Sequence, residues 1–191
     1  YGRPTSAGRT GLTSGDQIYS SQSYDCLGRN TKTWVPTPVY TSTYQNFDEE
    51  WMDSLSLNYF NDPVCYSETT YDVLDRPIFQ VGPKYSYVYN RKGTTYKYGI
   101  NTNEGLLRVR LYTIDANNTL SAQDYWPKGQ LQYKSTTSPD GNETIMFTDD
   151  RGLTILERHV VEKSQPDAQQ NDTYYVYDDM GRLVYVLPPQ Y

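Results

Sequence analysis

Four aspartates near the end of the chain have a spacing that could support catalysis. Asp149 and Asp150 lie in "FTDDRGL", and Asp178 and Asp179 lie in "VYDDMGR". Two carboxyl groups brought together could act as a general acid and a general base on a glycosidic bond. In both motifs a glycine follows, in the order typical of a tight turn, where aspartate hydrogen-bonds its own backbone. We therefore expect turns at these positions and no catalytic residues.

Histidine and cysteine are too scarce to build a metal site. The chain has one histidine, His159, and two cysteines, Cys26 and Cys65, whereas a structural zinc ion needs about four nitrogen or sulfur ligands. We expect no metal and no cofactor. His159 lies in an alternating run on the face opposite Arg158, with no nucleophile in a recognisable setting, which is typical of a surface or packing residue. The cysteines allow either one disulfide in an oxidising compartment or two free thiols.

Tyrosine is the most unusual feature of the composition, with 21 residues against 4 phenylalanines and 3 tryptophans. A tyrosine ring is apolar but its hydroxyl needs water or a partner, which favours half-exposed sheets over a deep aliphatic core. Such rings could also stack on sugars, and the candidate ligand-binding residues are Trp34, Trp126, Tyr87 and Tyr96. A hairpin predicted in "YSYVYNRKGTTYKY" would set Tyr87 opposite Tyr96 and Tyr85 opposite Tyr98, so packing across strands explains these tyrosines without a ligand.

The charge of the chain excludes two classes of partner. Its net charge is −6 at pH 7, and it lacks the clustered lysines and arginines that nucleic acids and anionic membranes attract. No apolar run approaches the roughly 18 residues of a membrane span. We expect no nucleic-acid partner and no membrane insertion.

The residues between the turn signals predict a mainly β fold. Tyr, Thr, Val and Leu alternate there in short runs, which is typical of antiparallel strands. One helix is predicted near 48–60 in "DEEWMDSLSLNYF", with Asp48 as its N-cap and Trp51, Leu55 and Tyr59 along one face. Residues 1–20 are predicted to be a loop or an edge strand, and "VEKSQPDAQQND" a hairpin tip. No linker divides the chain, so we expect a single domain over 1–191.

The motif "YVYDDMGRLVYV" predicts a hairpin with a defined turn. Asp178 would begin a type I turn and accept a hydrogen bond from the amide two residues later, facing Arg182. Gly181 would follow in the left-handed conformation, where a side chain is strained. The same register predicts two cross-strand pairs: Tyr177 with Leu183, and Tyr175 with Tyr185.

The motif recurs with variations in "SYDCLGR", "TYDVLDR" and "FTDDRGL", and "TTSPDG" encodes the same turn without the arginine. In the second copy Asp75 replaces the glycine, and aspartate tolerates the left-handed conformation at some cost. In the third copy the arginine, Arg151, has moved into the turn. The predicted turn residues of these copies are Tyr24, Asp25, Gly28, Arg29, Tyr71, Asp72, Asp75, Arg76, Asp149 and Gly152.

These motifs, with the flanks "YDVLDRPIFQVGP" and "VYDDMGRLVYVLPP", resemble the YD repeat of the Rhs family. Its members include bacterial polymorphic toxins, the shell subunits of Tc toxins and the animal teneurins. The resemblance covers most of residues 23–189 and is to the N-terminal part of Rhs proteins from Gram-negative bacteria. It implies an antiparallel YD-repeat sheet that coils into a shell around a C-terminal toxin or mediates surface contact. The chain starts without methionine, and we expect it to be a fragment of a longer array.

The resemblance implies a non-enzymatic scaffold in a secreted or cell-surface bacterial protein. Its partners would be the rest of its own Rhs polypeptide, a C-terminal toxin cargo and surface glycans. A carbohydrate-binding module is the alternative, and a cell-wall-directed hydrolase stands well behind. The copies lie farther apart than the roughly 20 residues of the family pattern. We therefore expect either degenerate copies between them or an irregular segment at the start of the array.

Overall fold

The structure, a computed structural model, describes residues 6–10, 17–39, 48–62, 64–83, 91–115, 117–161 and 170–189. It confirms the predicted fold class, because antiparallel strands dominate and one short helix lies near 48–60. The chain forms two compact units, Tyr1–Thr94 and Thr95–Tyr191. The single domain expected over 1–191 stays a prediction. Among the described residues, no helix is both long and apolar enough to cross a membrane.

The first unit contains an antiparallel sheet rich in Thr, Ser and Tyr, which suit half-exposed strands. Its strands are β1 (Ser6–Thr10), β2 (Gln17–Tyr24), β3 (Asn30–Trp34), β4 (Thr37–Val39), β5 (Tyr66–Tyr71) and β6 (Pro77–Val81). Their order is β1-β2-β3-β5-β6, and β4 pairs with β2. β1 lies at the edge, as expected, but residues 17–20 begin an interior strand, which corrects the loop or edge strand predicted there.

Helix α1 (Glu49–Phe60) begins and ends where its sequence directs. The Asp48 side chain accepts a hydrogen bond from the backbone N–H of Trp51 at 2.9 Å, as predicted for an N-cap. The helix ends at Phe60, and the C-cap residue Asn61 has a left-handed φ of 56°.

The buried face of α1 is not the predicted one. Met52 and Ser56 are buried, whereas Tyr59 is 51 % exposed. Polar contacts orient the helix: Glu49 forms an ion pair with Lys32 of β3 at 2.5 Å, and Asp53 accepts from the indole N–H of Trp34. The predicted face of Trp51, Leu55 and Tyr59 is therefore not the buried one. The polar contacts of Glu49 and Asp53 turn a different face of the helix toward β3.

Trp34 is the largest fully buried side chain among the described residues. Its side chain is 1 % exposed, and its Nε1 donates to Asp53 Oδ1 at 3.0 Å, so the indole N–H is satisfied in the interior. The Tyr66 ring lies 5.3 Å away between centroids. Met52, Val64 and Val81 are also buried in this unit.

The second unit contains a longer antiparallel sheet and a separate hairpin. Its strands are β7 (Thr94–Ile100), β8 (Arg110–Ile114), β9 (Leu120–Tyr125), β10 (Gln132–Thr137), β11 (Glu143–Thr148), β12 (Thr154–Val160), β13 (Gln170–Tyr177) and β14 (Leu183–Leu187). The boundary between the units falls after Thr94, the first residue of β7. The sheet order is β7-β10-β11-β12-β13-β14, and β8 pairs with β9 in a two-stranded sheet. Most of the predicted hairpin tip between β12 and β13 lies outside the described residues, as do Tyr85 and Tyr87.

Alternation along β11 and β12 builds the core of the second unit. Ile145 and Phe147 are buried while Met146 between them is exposed. Leu156, Val109 and Leu131 pack in the same cluster. The alternation predicted around His159 is confirmed, because Arg158 and Val160 are buried and His159 is exposed.

Arg158 is a buried cation that links several elements of the second unit, a role that the sequence did not predict. Its side chain is 2 % exposed. Its Nε and Nη2 donate to the two carboxylate oxygens of Asp172 at 2.8 and 2.6 Å, and its Nη1 donates to the carbonyls of Leu106 and Arg108 at 2.7 and 3.1 Å. The pair therefore fastens the 3-10 turn Gly105–Leu107 to the sheet.

Truncating Phe147 tests the position of this core. We expect Phe147→Ala to lower the free energy of unfolding by about 3–5 kcal/mol, because the side chain is fully buried and leaves a cavity. The matched control Met146→Ala, on the same strand but 41 % exposed, should cost well under half as much. Urea unfolding of both variants measures the difference, and equal losses would place the core on the wrong face of β11.

Candidate functional site

The turn after β13 has the geometry predicted from its sequence. The backbone N–H groups of Met180 and Arg182 donate to Asp178 Oδ1 at 3.0 and 2.8 Å. The amide of Gly181 donates to the Asp178 carbonyl at 2.9 Å, and Asp178 N–H donates to the Arg182 carbonyl at 3.0 Å. Gly181 has φ 77°. One carboxylate oxygen thus satisfies two amides, and the glycine occupies the left-handed position of the bulge.

The same hydrogen bonds recur at Asp25, Asp72 and Asp149. In each turn the aspartate Oδ1 accepts from the amides two and four residues later, at 2.8–3.0 Å. The left-handed residues are Gly28 (φ 76°), Asp75 (φ 62°) and Gly152 (φ 81°). Asp75 therefore adopts the glycine conformation, as its position in the motif predicted.

Two further turns fill the spaces between the motif copies. Ser138 begins the predicted turn, with Gly141 at φ 90° and the backbone pattern of the others. Asp115 begins a turn that the sequence analysis missed: its Oδ1 accepts from the amides of Asn117 and Thr119 at 2.8 Å each, and Asn118 has φ 61°. The signal was present in the sequence Asp-Ala-Asn-Asn at 115–118, because asparagine also tolerates the left-handed conformation.

The arginine of each motif pairs with the second oxygen of the turn aspartate. Nε of Arg29, Arg76 and Arg182 lies 2.6, 2.8 and 2.6 Å from the aspartate Oδ2. Arg151 makes the same contact with Asp149 at 2.9 Å from its shifted position. The two carboxylate oxygens therefore have separate roles, one for the backbone and one for the guanidinium.

Arg29 also connects two copies of the motif. Its Nη1 donates to the Asp72 carbonyl and to Asp75 Oδ1, both at 2.9 Å. Its guanidinium carbon lies 5.1 Å from the centroid of the Tyr71 ring, a cation–π distance. The aspartate that replaces glycine in the second turn thus provides the acceptor for the arginine of the first.

Hydrogen bonds from backbone amides are the largest cause of the lowered pKa of two turn aspartates, Asp178 and Asp25. The pKa of Asp178 is lowered first by the amide of Arg182, and that of Asp25 by the amide of Arg29. The pKa of Asp115, which has no arginine, is also lowered, first by the amide of Thr119. For Asp72, desolvation raises the pKa but hydrogen bonds from Arg76 outweigh it. The carboxylate–amide bonds therefore define the turn, and the arginine is an addition to it.

A second bulge corrects the predicted register of these hairpins. Tyr177 pairs with Leu183 as predicted, but Tyr185 pairs with Val176 and not with Tyr175, because the register shifts between Val176 and Tyr177. The hairpins β2–β3, β5–β6 and β11–β12 show the same shift one residue before the turn aspartate. A bulge adds one residue to one strand, which period-two alternation cannot reveal.

The four aromatic candidates for ligand binding do not form one surface. Trp34 is buried in the first unit, which corrects its assignment as a platform, since a buried ring cannot stack on a ligand. Tyr96 lies on β7 with the Lys134 ammonium 4.7 Å from its ring centroid. Tyr87 lies outside the described residues. Trp126 alone among the described candidates lines a groove.

This groove runs beside β8 in the second unit. A depression of about 330 Å³ is lined by all five residues of β8, by Trp126, Arg151 and Ile155, and by Tyr174 to Asp179. A second depression adjoins it at Tyr112 and Tyr174, whose rings meet edge to face at 4.9 Å. A third adjoins it at Ile114 and Asp179. Burial raises the pKa of Tyr174 to about 12.

The remaining chemistry-bearing side chains stay apart. Cys26 is an exposed free thiol in the first turn, and Cys65 is a buried free thiol whose pKa is raised by desolvation. His159 contacts Thr144 at 3.0 Å and Glu157 at 3.4 Å. Within the described ranges, no group of three or more His, Cys, Asp or Glu side chains could hold a metal ion.

Residues 1–100 match a family described as a domain of unknown function, DUF6443. The chain belongs to this family. No curated protein matches the chain. The DUF6443 match covers the first compact unit and includes the turns at Asp25 and Asp72, joined by Arg29.

Substitutions of the left-handed glycine test the turn geometry outside the DUF6443 match. Gly181→Val should cost about 1–3 kcal/mol, because a β-branched residue is strained at φ 77°. Gly181→Asn should cost much less. Gly82→Val is the matched control and should cost little. A Cβ at Gly82 would have no neighbour within 4 Å, and the φ of Gly82 is not left-handed. Midpoints of urea unfolding give the ordering, and a neutral Gly181→Val would contradict the assigned turn.

Acid titration tests the carboxylate–amide bonds. The pKa of Asp178 is lowered from 3.8 in the folded protein, so its stabilisation is complete above that value and is lost as the pH falls through the lower folded-state pKa. Asp178→Asn should therefore weaken the decline in stability below about pH 4. Asp179→Asn, whose carboxylate accepts no hydrogen bond in the described part of the chain, should retain it. Urea unfolding at several pH values would contradict this if both variants behaved alike.

Proposed function

We propose that the chain is a non-enzymatic, YD-repeat-like scaffold segment of a secreted or cell-surface Rhs-type protein. The observation that carries this proposal is the recurrence of one hydrogen-bond arrangement at Asp25, Asp72, Asp149 and Asp178. A catalytic site is built once in a domain, whereas a repeated local arrangement specifies repeated local structure. Membership of DUF6443 is compatible with this proposal and adds no activity to it.

The state of the aspartates supports a structural role over catalysis. In the turn at Asp178 one oxygen accepts two amides and the other accepts the guanidinium, so the hydrogen bonds hold the carboxylate as an anion. A general acid in a hydrolase needs a raised pKa, and the pKa values of Asp25 and Asp178 are lowered. The same reasoning argues against the cell-wall-directed hydrolase.

The link through Arg29 supports an array in place of isolated hairpins. Its guanidinium binds its own turn and the next one in the sheet at once. A repeat protein is stabilised by such contacts between neighbouring units. In the proposed parent protein, further repeats and a C-terminal toxin cargo would be the partners, together with glycans at the surface.

A hydrolase panel tests the non-enzymatic part of the proposal. We expect the purified chain to show no glycosidase, peptidase or nuclease turnover above that of a denatured sample. Turnover that is abolished by Asp178→Asn or Asp149→Asn with an unchanged unfolding midpoint would overturn the proposal. Asp150→Asn is the matched control, because this residue lies in the turn without providing its hydrogen bonds.

Localisation in the bacterial source tests the cellular part. An antibody against the chain should detect the parent protein in the medium, or on intact cells as a signal removed by added protease. A cytoplasmic marker protein must stay intact in the same cells. Detection in the cytoplasmic fraction alone would contradict the proposal.

Carbohydrate binding is the second candidate, and Trp126 is the observation that favours it. This tryptophan lines a groove with several tyrosines, and aromatic faces bind sugar rings by stacking. Saturable binding on a glycan array that is lost in Trp126→Ala would support this candidate. Trp34→Ala is unsuitable as a second test, because the buried ring stabilises the fold.

A further inference from the structure

One wall of the groove is formed by the edge of strand β8. Side chains of a strand alternate between its two faces, so a ligand lying on one face would contact every second residue. Here all five consecutive residues of Arg110–Ile114 line the depression. The groove therefore runs along the edge of β8, where its backbone N–H and C=O groups are presented.

The pairing of β8 leaves hydrogen-bonding groups on this edge. In the described part of the chain β8 pairs only with β9. Asp115 N–H donates to the Thr119 carbonyl, and the register places Ile114 opposite Leu120 and Tyr112 opposite Ala122. Alternation of an antiparallel ladder then directs the backbone groups of Tyr112 and Ile114 away from β9.

The opposite wall provides apolar surface without closing the edge. Pairing of β12 with β13 ends at Tyr174, although β13 continues to Tyr177. Trp126 and Ile155 line the same space. An edge whose backbone groups face away from its one paired strand, beside an apolar wall, has the form of a site for strand addition.

The two ends of the groove differ in charge. Asp115, Asp178 and Asp179 line the end at Ile114 together with Arg182, which forms an ion pair with Asp178. Asp179 is the carboxylate at this end that accepts no hydrogen bond and no ion pair among the described residues. Arg110 lies at the other end, and its guanidinium stacks 5.6 Å from the Tyr125 ring centroid without an ion pair in the described residues. A strand antiparallel to β8 would place its N-terminal end by the aspartates and its C-terminal end by Arg110.

We propose that this groove binds an extended peptide of a partner protein as a strand antiparallel to β8, with a basic residue at its N-terminal end and an acidic residue at its C-terminal end. The main-chain groups of Tyr112 and Ile114 provide the hydrogen bonds. Alternate apolar side chains of the peptide contact the wall that contains Trp126 and Ile155. This binding site is independent of the scaffold role proposed above.

Labelled peptides test the site by fluorescence polarisation with the complete chain. The probe is acetyl-Lys-Val-Thr-Val-Thr-Val-Glu-amide, and the same peptide with Lys and Glu exchanged tests its direction. We expect the first to bind more tightly. Tighter binding of the exchanged peptide, or no binding of either at about 1 mM, would overturn the proposal.

Backbone methylation separates strand pairing from simple apolar binding. Methylation of one alternate set of peptide amides should weaken binding at least about tenfold, because it removes the donors that face β8, and methylation of the other set should change it little. Equal effects of both sets would contradict strand addition. Displacement of the peptide by cellohexaose, with no methylation effect, would assign the groove to sugars.

Protein variants locate the binding to this edge. Ile114→Pro removes an outward N–H at an edge position that tolerates proline, and it should abolish binding without changing the circular dichroism. Asp179→Lys should weaken the Lys-first probe about two- to fivefold at low salt. The matched control Asp140→Lys, at an exposed position in the turn that begins at Ser138 and away from the groove, should not. If Ile114→Pro misfolds, the methylated peptides still decide the question.

Discussion

The carboxylate of each turn aspartate satisfies backbone N–H groups that the hairpin would otherwise leave without a partner, and the strands depend on this contact. At Asp25, Asp72, Asp149 and Asp178, Oδ1 accepts two amides and Oδ2 accepts the guanidinium of an arginine. The turn at Asp115 has the same carboxylate–amide bonds without the arginine. The amide contacts are therefore the common element, and the arginine can shift by two residues, as Arg151 does, without changing the turn.

Arginine adds contacts between elements that are distant in sequence. Arg29 joins two turns in the first unit, and Arg91 binds Glu68 and the carbonyls of Tyr66 and Gly82. In the second unit, buried Arg158 binds Asp172 and two carbonyls near the 3-10 turn. A guanidinium has five donors in a fixed plane, so one side chain can satisfy several acceptors. Such residues connect hairpins that each form from local sequence.

The bulges beside the turns relate the repeated motif to the shape of the sheet. Among the described strands, the hairpins β2–β3, β5–β6, β11–β12 and β13–β14 each carry an extra residue on the strand after the turn. These residues are Thr31, Ile78, Ile155 and Val184. The hairpin β10–β11, whose turn begins with Ser138, shows no such shift. A bulge increases the local twist of a strand pair. The shift beside the turn thus accompanies the aspartate–arginine motif, whereas β8–β9, whose turn at Asp115 lacks the arginine, has its shift farther from the turn, between Arg110 and Tyr112.

The sequence alone determined the features that depend on neighbouring residues. The mainly β fold, the N-cap at Asp48 and the left-handed residues Asp75 and Gly181 followed from local conformational preference, which acts within a few residues. The turn at Asp115 could have been found in the same way, from Asn117 and Asn118.

Only the tertiary structure decided which side chains meet across the sheet. The burial of Trp34 and Arg158, the orientation of α1 through Asp53, and the register of Tyr185 all depend on partners far away in the sequence. A strand pattern of period two shows that faces alternate, but it does not show which partner each face meets or where a bulge reverses the alternation. The groove beside β8 has the same origin, because the separation of the β8–β9 hairpin from the main sheet of the second unit leaves one strand edge without a neighbour in the described residues.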